Sequence, residues 1–377
     1  MSPKKYGDMI FAPRDLCVDL ANGLVDKGHE VYFFTAPDIQ TKATLMPGDR
    51  SLLEKDYVKS TLSARKSERL EWGFFYMFKQ NYELDLTERC FAFAKDHKID
   101  IIHSYHDRVS HFFEDLTGIP TVYTLHDPLP REEKNLTYWL YSKFHSHAYV
   151  SISNAFRRHP KLKIHFIDTV YHGIHIDTIP FVSTPERYLA FMGRLILEKG
   201  AEYALIASQK ANIPLKLASS LLEVNVSDDE YYKKKILPHV DKTKTSFVGF
   251  LEGAQKSEFL GRAKAFLFPI QWEEPFGMVM LEAMACGTPV VAYNRGSVSE
   301  IVRDGVTGFI IDPDDVDRPG KGSWIIKKQG VAGLVEAIKR IGEIDRAACR
   351  SHVEEHFTVT KMVEGYESVY KKVAQRI

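Results

Sequence analysis

The stretch Phe268-Pro-Ile-Gln-Trp-Glu-Glu-Pro-Phe-Gly-Met-Val-Met-Leu-Glu-Ala-Met-Ala-Cys-Gly-Thr-Pro-Val-Val-Ala292 decides how the rest of the chain is read. It predicts a strand, a loop, a helix, a tight turn and a second strand. Pro275 can open a helix but cannot sit inside one. The helix is therefore expected from about Gly277 to Ala285, stopping at Gly287 in a left-handed C′ position. Glu274 then stands just ahead of the helix, and Glu282 lies within it. At about 1.5 Å of rise per residue the two carboxylates are on the order of 10 Å apart, which suits the two ends of one elongated polar ligand. The loop ahead of the helix offers N–H groups at the positive end of its dipole, a setting for an anionic or polyhydroxylated ligand. A surface helix with two solvated glutamates is the plain alternative, and the Pro-Phe-Gly loop and apolar helix weigh against it. A glycosidase acid/base pair is a poorer match, because such carboxyls sit roughly 5 to 9.5 Å apart across one bond.

Working outward, short apolar runs alternate with helix-length amphipathic stretches. The runs His29–Ala36, Asp100–Tyr105, Pro120–His126, Ala148–Ser153 and His165–His172 form a first series, rich in Val, Ile, Tyr and Phe. Helix patterns such as Arg14–Lys27 and Glu83–His97 lie between them. A second series follows: Tyr188–Gly193, Pro214–Ser219, Ser246–Phe250, Ala265–Ile270, Pro289–Tyr293 and Gly308–Asp312. Such alternation predicts parallel sheets covered on both faces. A break at about Ile174–Pro185, with Pro180 and Pro185, predicts two doubly wound domains.

Length and composition agree with that picture. The chain has 377 residues, enough for two cores, with 44% hydrophobic and 27% charged residues, which excludes a disordered chain. Fifty Lys and Arg balance fifty Asp and Glu, so no global field draws nucleic acid or anionic lipid. Cys17, Cys90, Cys286 and Cys349 are scattered without disulfide or metal spacing, as expected in a reducing compartment. The histidines crowd into the first half, yet no spacing among them resembles a metal-ligand set. No apolar run approaches the roughly 18 to 20 residues of a membrane span, and MSPKKYGD lacks the apolar stretch of a signal peptide. The expectation is a cytoplasmic protein with at most peripheral membrane contact and no nucleic-acid partner.

The segment EPFGMVMLE, Glu274 to Glu282, resembles the paired-glutamate signature of family-4 retaining glycosyltransferases. Other matches follow in order along the chain. Gly193-Arg-Leu-Ile-Leu-Glu-Lys-Gly200 resembles the loop opening the second domain of that family. Asn294-Arg-Gly-Ser-Val-Ser-Glu300 and Asp304-Gly-Val-Thr-Gly-Phe309 resemble the stretch after the glutamates. Thr124-Leu-His-Asp127 is similar to the first-domain histidine motif, and Tyr6-Gly7 with Gly28-His29-Glu30-Val31 to the opening. The fold implied is GT-B, two Rossmann-like α/β domains facing across a cleft. The divisions expected are an acceptor-binding domain over 1–180, a nucleotide-sugar-binding domain over 181–358, and a helix over 359–377 that returns to the first domain.

The resemblance also implies roles. Glu282 would hold the ribose hydroxyls of a nucleotide donor and Glu274 the hydroxyls of the transferred sugar. Backbone amides at Phe276, Gly277 and Met278 would contact that sugar and its phosphate. Arg194 and Lys199 would bind the diphosphate, and the physical case for them stands beside the resemblance. Two cations and a helix dipole in a dry site stabilise a dianionic leaving group without metal. His126 would face the donor sugar from a strand end, with His106 as a possible cleft contact. Gly7 allows close approach to the phosphates, but Asp8 departs from the family, where a second glycine is common; an acid there would repel a diphosphate, so the expectation is either that Asp8 faces the acceptor or that the loop is displaced. The implied reaction is metal-independent transfer of a hexosyl unit, with no cofactor beyond the nucleotide-sugar co-substrate. The Trp-Glu-Glu-Pro-Phe-Gly form is similar to glucosyl-transferring members, some described as UDP-glucose:tetrahydrobiopterin glucosyltransferases, so UDP-glucose is the expected donor. A nucleotide-sugar-binding protein without transfer, or a GT-B epimerase or phosphorylase, remains open on the sequence.

A doubly wound domain normally opens with a strand that lies inside its sheet, and here the turn-like Pro3–Asp8 arrives after two residues. The expectation is two uncovered inner sheet margins, with the natural start upstream or with Asp8–Ala12 standing in. An extension of some 10 to 15 residues would then raise soluble yield, by an argument from strand length plus turn. Other motifs are set aside. His352-Val-Glu-Glu-His356 reads as a solvated helix face rather than a zinc-protease motif, and Asp312-Pro-Asp-Asp315 as a loop. Gly320-Lys-Gly-Ser323 lacks the spacing of a P-loop. Trp72–Phe78 reads as core packing of an inserted helix.

Overall fold

Alternation of β-branched runs and amphipathic stretches yields two units, each built on parallel strands. The computed structural model of the protein describes residues 12–49, 68–105, 108–219, 230–241, 243–314 and 322–375. Gly7, Asp8 and His106 lie outside the described residues, as does most of the Asp8–Ala12 substitute strand.

The first unit takes the described residues up to Ser151, His159–Val170, and the chain from Met362 onward. Its elements are α1 (Ala12–Asp26), β1 (Tyr32–Thr35), β2 (Thr44–Pro47), α2 (Glu68–Asp96), β3 (Ile102–Ser104), α3 (Ser110–Thr117), β4 (Thr121–Leu125), α4 (Leu136–Lys143), β5 (Ala148–Ser151) and β6 (Phe166–Thr169). The strands β3-β4-β5-β6 form one parallel sheet in that order, and β1-β2 a separate parallel pair. Residues of β4 are buried along its whole length, as a strand covered on both faces must be. The sequence reading found no strand at Thr44–Pro47; it is four residues long with both ends exposed, too short to print a period of two. The expected helices at Glu83–His97 and around Trp72–Phe78 are one continuous helix, α2.

Between β1 and β3 the sheet is interrupted. Among the described residues no strand pairs with the free margin of either, and a cavity of about 520 Å³ lies there. Phe34 and Thr35 of β1, His103 and Ser104 of β3, and Cys17 and Ala21 of α1 are among its walls. This is the place a central strand occupies in a doubly wound sheet.

The second unit holds Ile152–Arg158 and Tyr171–Lys361. It contains β7 (Leu189–Met192), α5 (Ala201–Ala211), β8 (Leu215–Ala218), β9 (Thr245–Gly249), α6 (Gly253–Gly261), β10 (Ala265–Phe268), α7 (Met278–Ala285), β11 (Val290–Tyr293), α8 (Val298–Ile301), β12 (Gly308–Ile311), α9 (Gly330–Arg340) and α10 (Arg346–His356). All strands run parallel in the order β12-β11-β10-β7-β8-β9. That is the Rossmann order, with the winding reversing between β7 and β10. Strands β10, β11 and β12 are buried throughout. Arg346, itself buried, donates to the carbonyls of Val182, Gly261 and Ala263 and to Thr288 Oγ1, fixing α10 beneath the sheet. The closing helix α11 (Val359–Ala374) begins in this unit and contributes Met362, Val363, Tyr366, Val369 and Val373 to buried packing.

Candidate active site

Open α/β sheets bind ligands where neighbouring strands send their chains to opposite faces, beyond the carboxyl ends of the strands. In the second unit that place lies past β7 and β10, and the sequence motifs fall there. The loop after β7 runs from Gly193 through Arg194 to Lys199 and delivers the chain to α5. The loop after β10 runs from Pro269 through Glu274 to Gly277 and delivers it to α7. The two loops are tied directly, because Gln271 N–H donates to the Glu198 carbonyl at 2.8 Å.

Glu274 is the centre of the arrangement. Only 8% exposed, its carboxylate accepts from Lys199 Nζ and from Trp272 Nε1 on the same oxygen, each at 2.8 Å. Lys199 Nζ also lies 5.0 Å from the centroid of the Trp272 ring, within cation–π range. A nearly buried carboxylate costs free energy unless it is paired and hydrogen-bonded, and both conditions hold here. Glu273, its neighbour, turns away and accepts from Gly296 N–H at 2.7 Å, with Arg295 beside it at 3.7 Å. The loop is fastened from behind: Ser297 donates its N–H to the Glu274 carbonyl at 3.0 Å and its hydroxyl to the Phe276 carbonyl at 2.6 Å.

Helix α7 begins at Met278, with Gly277 as its N-cap at φ +88°, a conformation that favours glycine. The first N–H groups of a helix have no acceptor within it, so the Phe276–Met278 backbone presents donors toward the loop. Phe276 contributes backbone only: its ring is buried, 4.7 Å from His172 and 6.1 Å from Tyr171. Gly287 follows α7 at φ +87°, the left-handed position expected for it. Glu282 lies within α7, half-buried, and pairs with Lys256 of α6 at 2.7 Å. Arg194 is exposed just past Gly193. Sequence reasoning missed Trp272 and Lys256. Trp272 stands two residues before Glu274 and could have been inferred from that spacing; Lys256 lies on another helix and has no local signal.

The carboxylate of Glu300, in the resemblance segment that ends there, brackets Ile152–Arg158. It accepts the N–H groups of Asn154 and Ala155, both at 2.7 Å, and the Tyr171 hydroxyl at 2.8 Å. That bracket explains why a short piece of chain between β5 and β6 belongs to the second unit.

In the first unit, His126 stands immediately past β4 at its carboxyl end, its ring stacked 5.4 Å from Tyr105. Burial lowers its pKa to about 4, so it is a neutral imidazole at pH 7. His103 in β3 is lowered to about 3, first by burial and then by His126 nearby. Its two ring nitrogens meet the Tyr370 hydroxyl at 2.6 Å and Thr124 Oγ1 at 2.8 Å. His103 thus holds α11 to the sheet. Of the motifs set aside, Asp312 binds its own loop, accepting from Asn294, Gly322 N–H and Trp324. His352, half-buried, donates from Nε2 to the Ile301 carbonyl at 3.0 Å, and His356 is exposed.

Comparison with known proteins fits this geometry. The family model described as Glycosyltransferase Family 4 matches residues 16–178, and that described as Glycosyl transferases group 1 matches 177–322. An uncharacterized glycosyltransferase of Methanocaldococcus jannaschii is 26% identical over 340 residues, covering 80% of this chain and 81% of that protein. A glycogen synthase of Mycobacterium tuberculosis is 31% identical over 193 residues, covering 49% of this chain and 42% of that protein. Among solved structures, sucrose-phosphate synthase from Thermosynechococcus elongatus superposes with a TM-score of 0.68 at 17% identity, over 95% of this chain and 92% of that one. HepE of Anabaena, solved with UDP-glucose, gives 0.58 at 18% identity over 76% and 82%. No helix among the described residues is long and apolar enough to cross a membrane. Two Rossmann-like parallel sheets, a charged and nearly buried glutamate at the reversal point of the second, and both family matches lead to one identification: the chain is a glycosyltransferase of the GT-B type.

Proposed function

We propose that this is a retaining, family-4 transferase that moves a glucosyl unit from UDP-glucose to an acceptor hydroxyl in the cytoplasm. The observation that carries the reading is the Lys199–Glu274–Trp272 cluster at the reversal point of the second sheet, beside the first N–H groups of α7. Relatives support the sugar. One is named for glycogen, another is an α-maltose-1-phosphate synthase of Mycobacterium tuberculosis, 26% identical over 255 residues, and HepE was solved with UDP-glucose.

In this reading Glu274 accepts from the hydroxyls of the glucosyl ring, and the Phe276–Met278 amides bind the same ring and its phosphate. Glu282 holds the ribose. Arg194 and Lys199 meet the diphosphate, and His126, neutral at pH 7, donates or accepts a hydrogen bond at the sugar. The acceptor oxygen attacks the anomeric carbon from the face the diphosphate leaves. As the carbon–phosphate-oxygen bond breaks and the new glycosidic bond forms, the acceptor's proton passes to the departing phosphate oxygen, so no strong protein base is required. Positive charge from Lys199, Arg194 and α7 stabilises the charge gathering on that oxygen; in a water-excluded site one such donor is worth about 10²–10³ in rate.

The test is UDP release from UDP-glucose against a set of acceptors that begins with tetrahydrobiopterin, using wild type, Lys199→Ala and Glu282→Ala. Lys199→Ala should lower kcat by about 10²-fold or more. Glu282→Ala should chiefly raise KM for the donor. Normal turnover by Lys199→Ala refutes the assignment.

A further inference from the structure

Histidine spacing in the sequence shows no metal-ligand set, yet folding brings one together at the amino edge of the first sheet. His111 and Glu114 lie one turn apart on α3, and His147 precedes β5 directly. The Nδ1 atoms of His111 and His147 are 3.0 Å apart, and Glu114 Oε2 lies 2.9 Å from His147 Nδ1. The three candidate ligand atoms all fall within 4.8 Å of one another.

The protons on the far sides of both rings can be placed. Tyr149 donates its hydroxyl proton to the Phe144 carbonyl at 3.1 Å, an atom that only accepts. Its oxygen therefore faces His111 Nε2, 3.4 Å away, as an acceptor, and His111 carries its proton on Nε2. His147 Nε2 lies 2.9 Å from Asp115 Oδ1, a carboxylate, so it too carries a proton. Both Nδ1 atoms are left to face each other and Glu114. His111 Nδ1, His147 Nδ1 and Glu114 Oε2 share one small space that a single cation satisfies, either a proton on His147 paired with Glu114 or a metal ion bound by all three. His111 is fully buried, stacked 3.9 Å from the Tyr123 ring, so solvent does not reach the cluster from its side.

We propose that His111 Nδ1, His147 Nδ1 and Glu114 Oε2 bind a divalent transition cation, zinc foremost. Two imidazoles and one carboxylate are a zinc donor set, and ligand atoms bound at about 2.0–2.1 Å in a tetrahedron stand roughly 3.3 Å apart, close to the separations here. Asp115 behind His147 and Tyr149 behind His111 are the outer partners that fix the ring tautomers of such ligands. The site is remote from chemistry: His147 lies at the strand starts, His126 at the strand ends. The ion would pin α3 to the start of β5.

The probe is zinc chloride added to the full chain after chelation and dialysis. Titration calorimetry should give one equivalent bound with Kd at or below about 1 µM, together with a rise in Tm of several degrees. His147→Gln should abolish that binding. Asp115→Asn, which keeps all three ligands and guards against a misfolded His147 variant, should weaken it about 10–100-fold. His356→Gln, an exposed histidine elsewhere, should bind as wild type does. Cobalt in place of zinc should show the visible absorption of a four-coordinate site. Failure of wild type to bind zinc at these concentrations overturns the proposal in favour of a proton held on His147, and equal binding by His147→Gln overturns it in favour of other histidines.

Discussion

At the residue scale, the candidate site depends on how closely backbone approaches backbone around Glu274. Gly296 has φ +56°, and a Cβ there would stand 2.2 Å from the Glu274 carbonyl oxygen and 2.5 Å from its nitrogen. Neither atom is the end of a flexible side chain, so the loop itself must move. Gly296→Ala is expected to destabilise the protein by about 1–3 kcal/mol in urea unfolding and to disturb the Lys199 pairing. Because the displaced backbone carries Glu274, a proposed sugar contact, UDP release should fall in kcat/KM. A Gly296→Ala enzyme with wild-type stability and rate would contradict this packing. The sequence announced the ends of the arrangement but not its fastening. Glu274, Lys199 and Glu282 stood out because a charged residue beside Pro, Gly or an apolar run has few structural uses. Gly296 and Ser297 fall in the Asn294–Glu300 stretch that the resemblance marked, but what they meet across the fold, like the pairing of Lys256 with Glu282, no local pattern encodes.

At the element scale, His103 in β3 and His126 just past β4 stay neutral in the fold. Unfolded histidines take a proton near pH 6.5, whereas His103 and His126 do so only near pH 3 and 4. Between those values the unfolded chain binds more protons, so stability falls as pH drops from about 7 toward 4. Each group steepens the fall by up to about 1.4 kcal/mol per pH unit. His103→Gln should flatten Tm against pH across that range relative to wild type, and an unchanged slope would show that His103 is not held neutral. Every run read as a strand overlaps an observed strand, and β4, β10, β11 and β12 were the plainest because a strand buried along its whole length must be continuously apolar. The strand β2 escaped notice because its short, exposed-ended sequence carries no such constraint.

At the scale of the whole molecule, the first unit is closed by the end of the chain. In α11, Glu367 pairs with Lys27 at 2.9 Å and His29 at 2.8 Å. Tyr366 reaches Thr124 at 3.0 Å, and Tyr370 reaches His103 at 2.6 Å. Lys372 pairs with Asp168. Met362, Val363, Tyr366 and Val369 are all but inaccessible. At about 1.5–3 kcal/mol for each large apolar side chain, losing that burial rivals the 5–15 kcal/mol stability of a typical domain. Deleting Met362–Ile377 should therefore leave the second unit protected in limited proteolysis while the first is digested; equal protection of both would refute the dependence. Two-unit organisation was legible in the alternation of strands and helices, whereas the bracket that draws Asn154 and Ala155 to Glu300 was not, because hydrogen bonds to backbone leave no trace in side-chain pattern.

That closing helix has a consequence for birth as well as for stability. Domains generally fold as they leave the ribosome, earliest-made first. Here the part translated first lacks its last wall until the part translated last has emerged, so the younger half of the polypeptide is free to mature while the elder waits. Pausing, truncated messages or fusions at the carboxyl end would be felt most strongly at the opposite end of the chain.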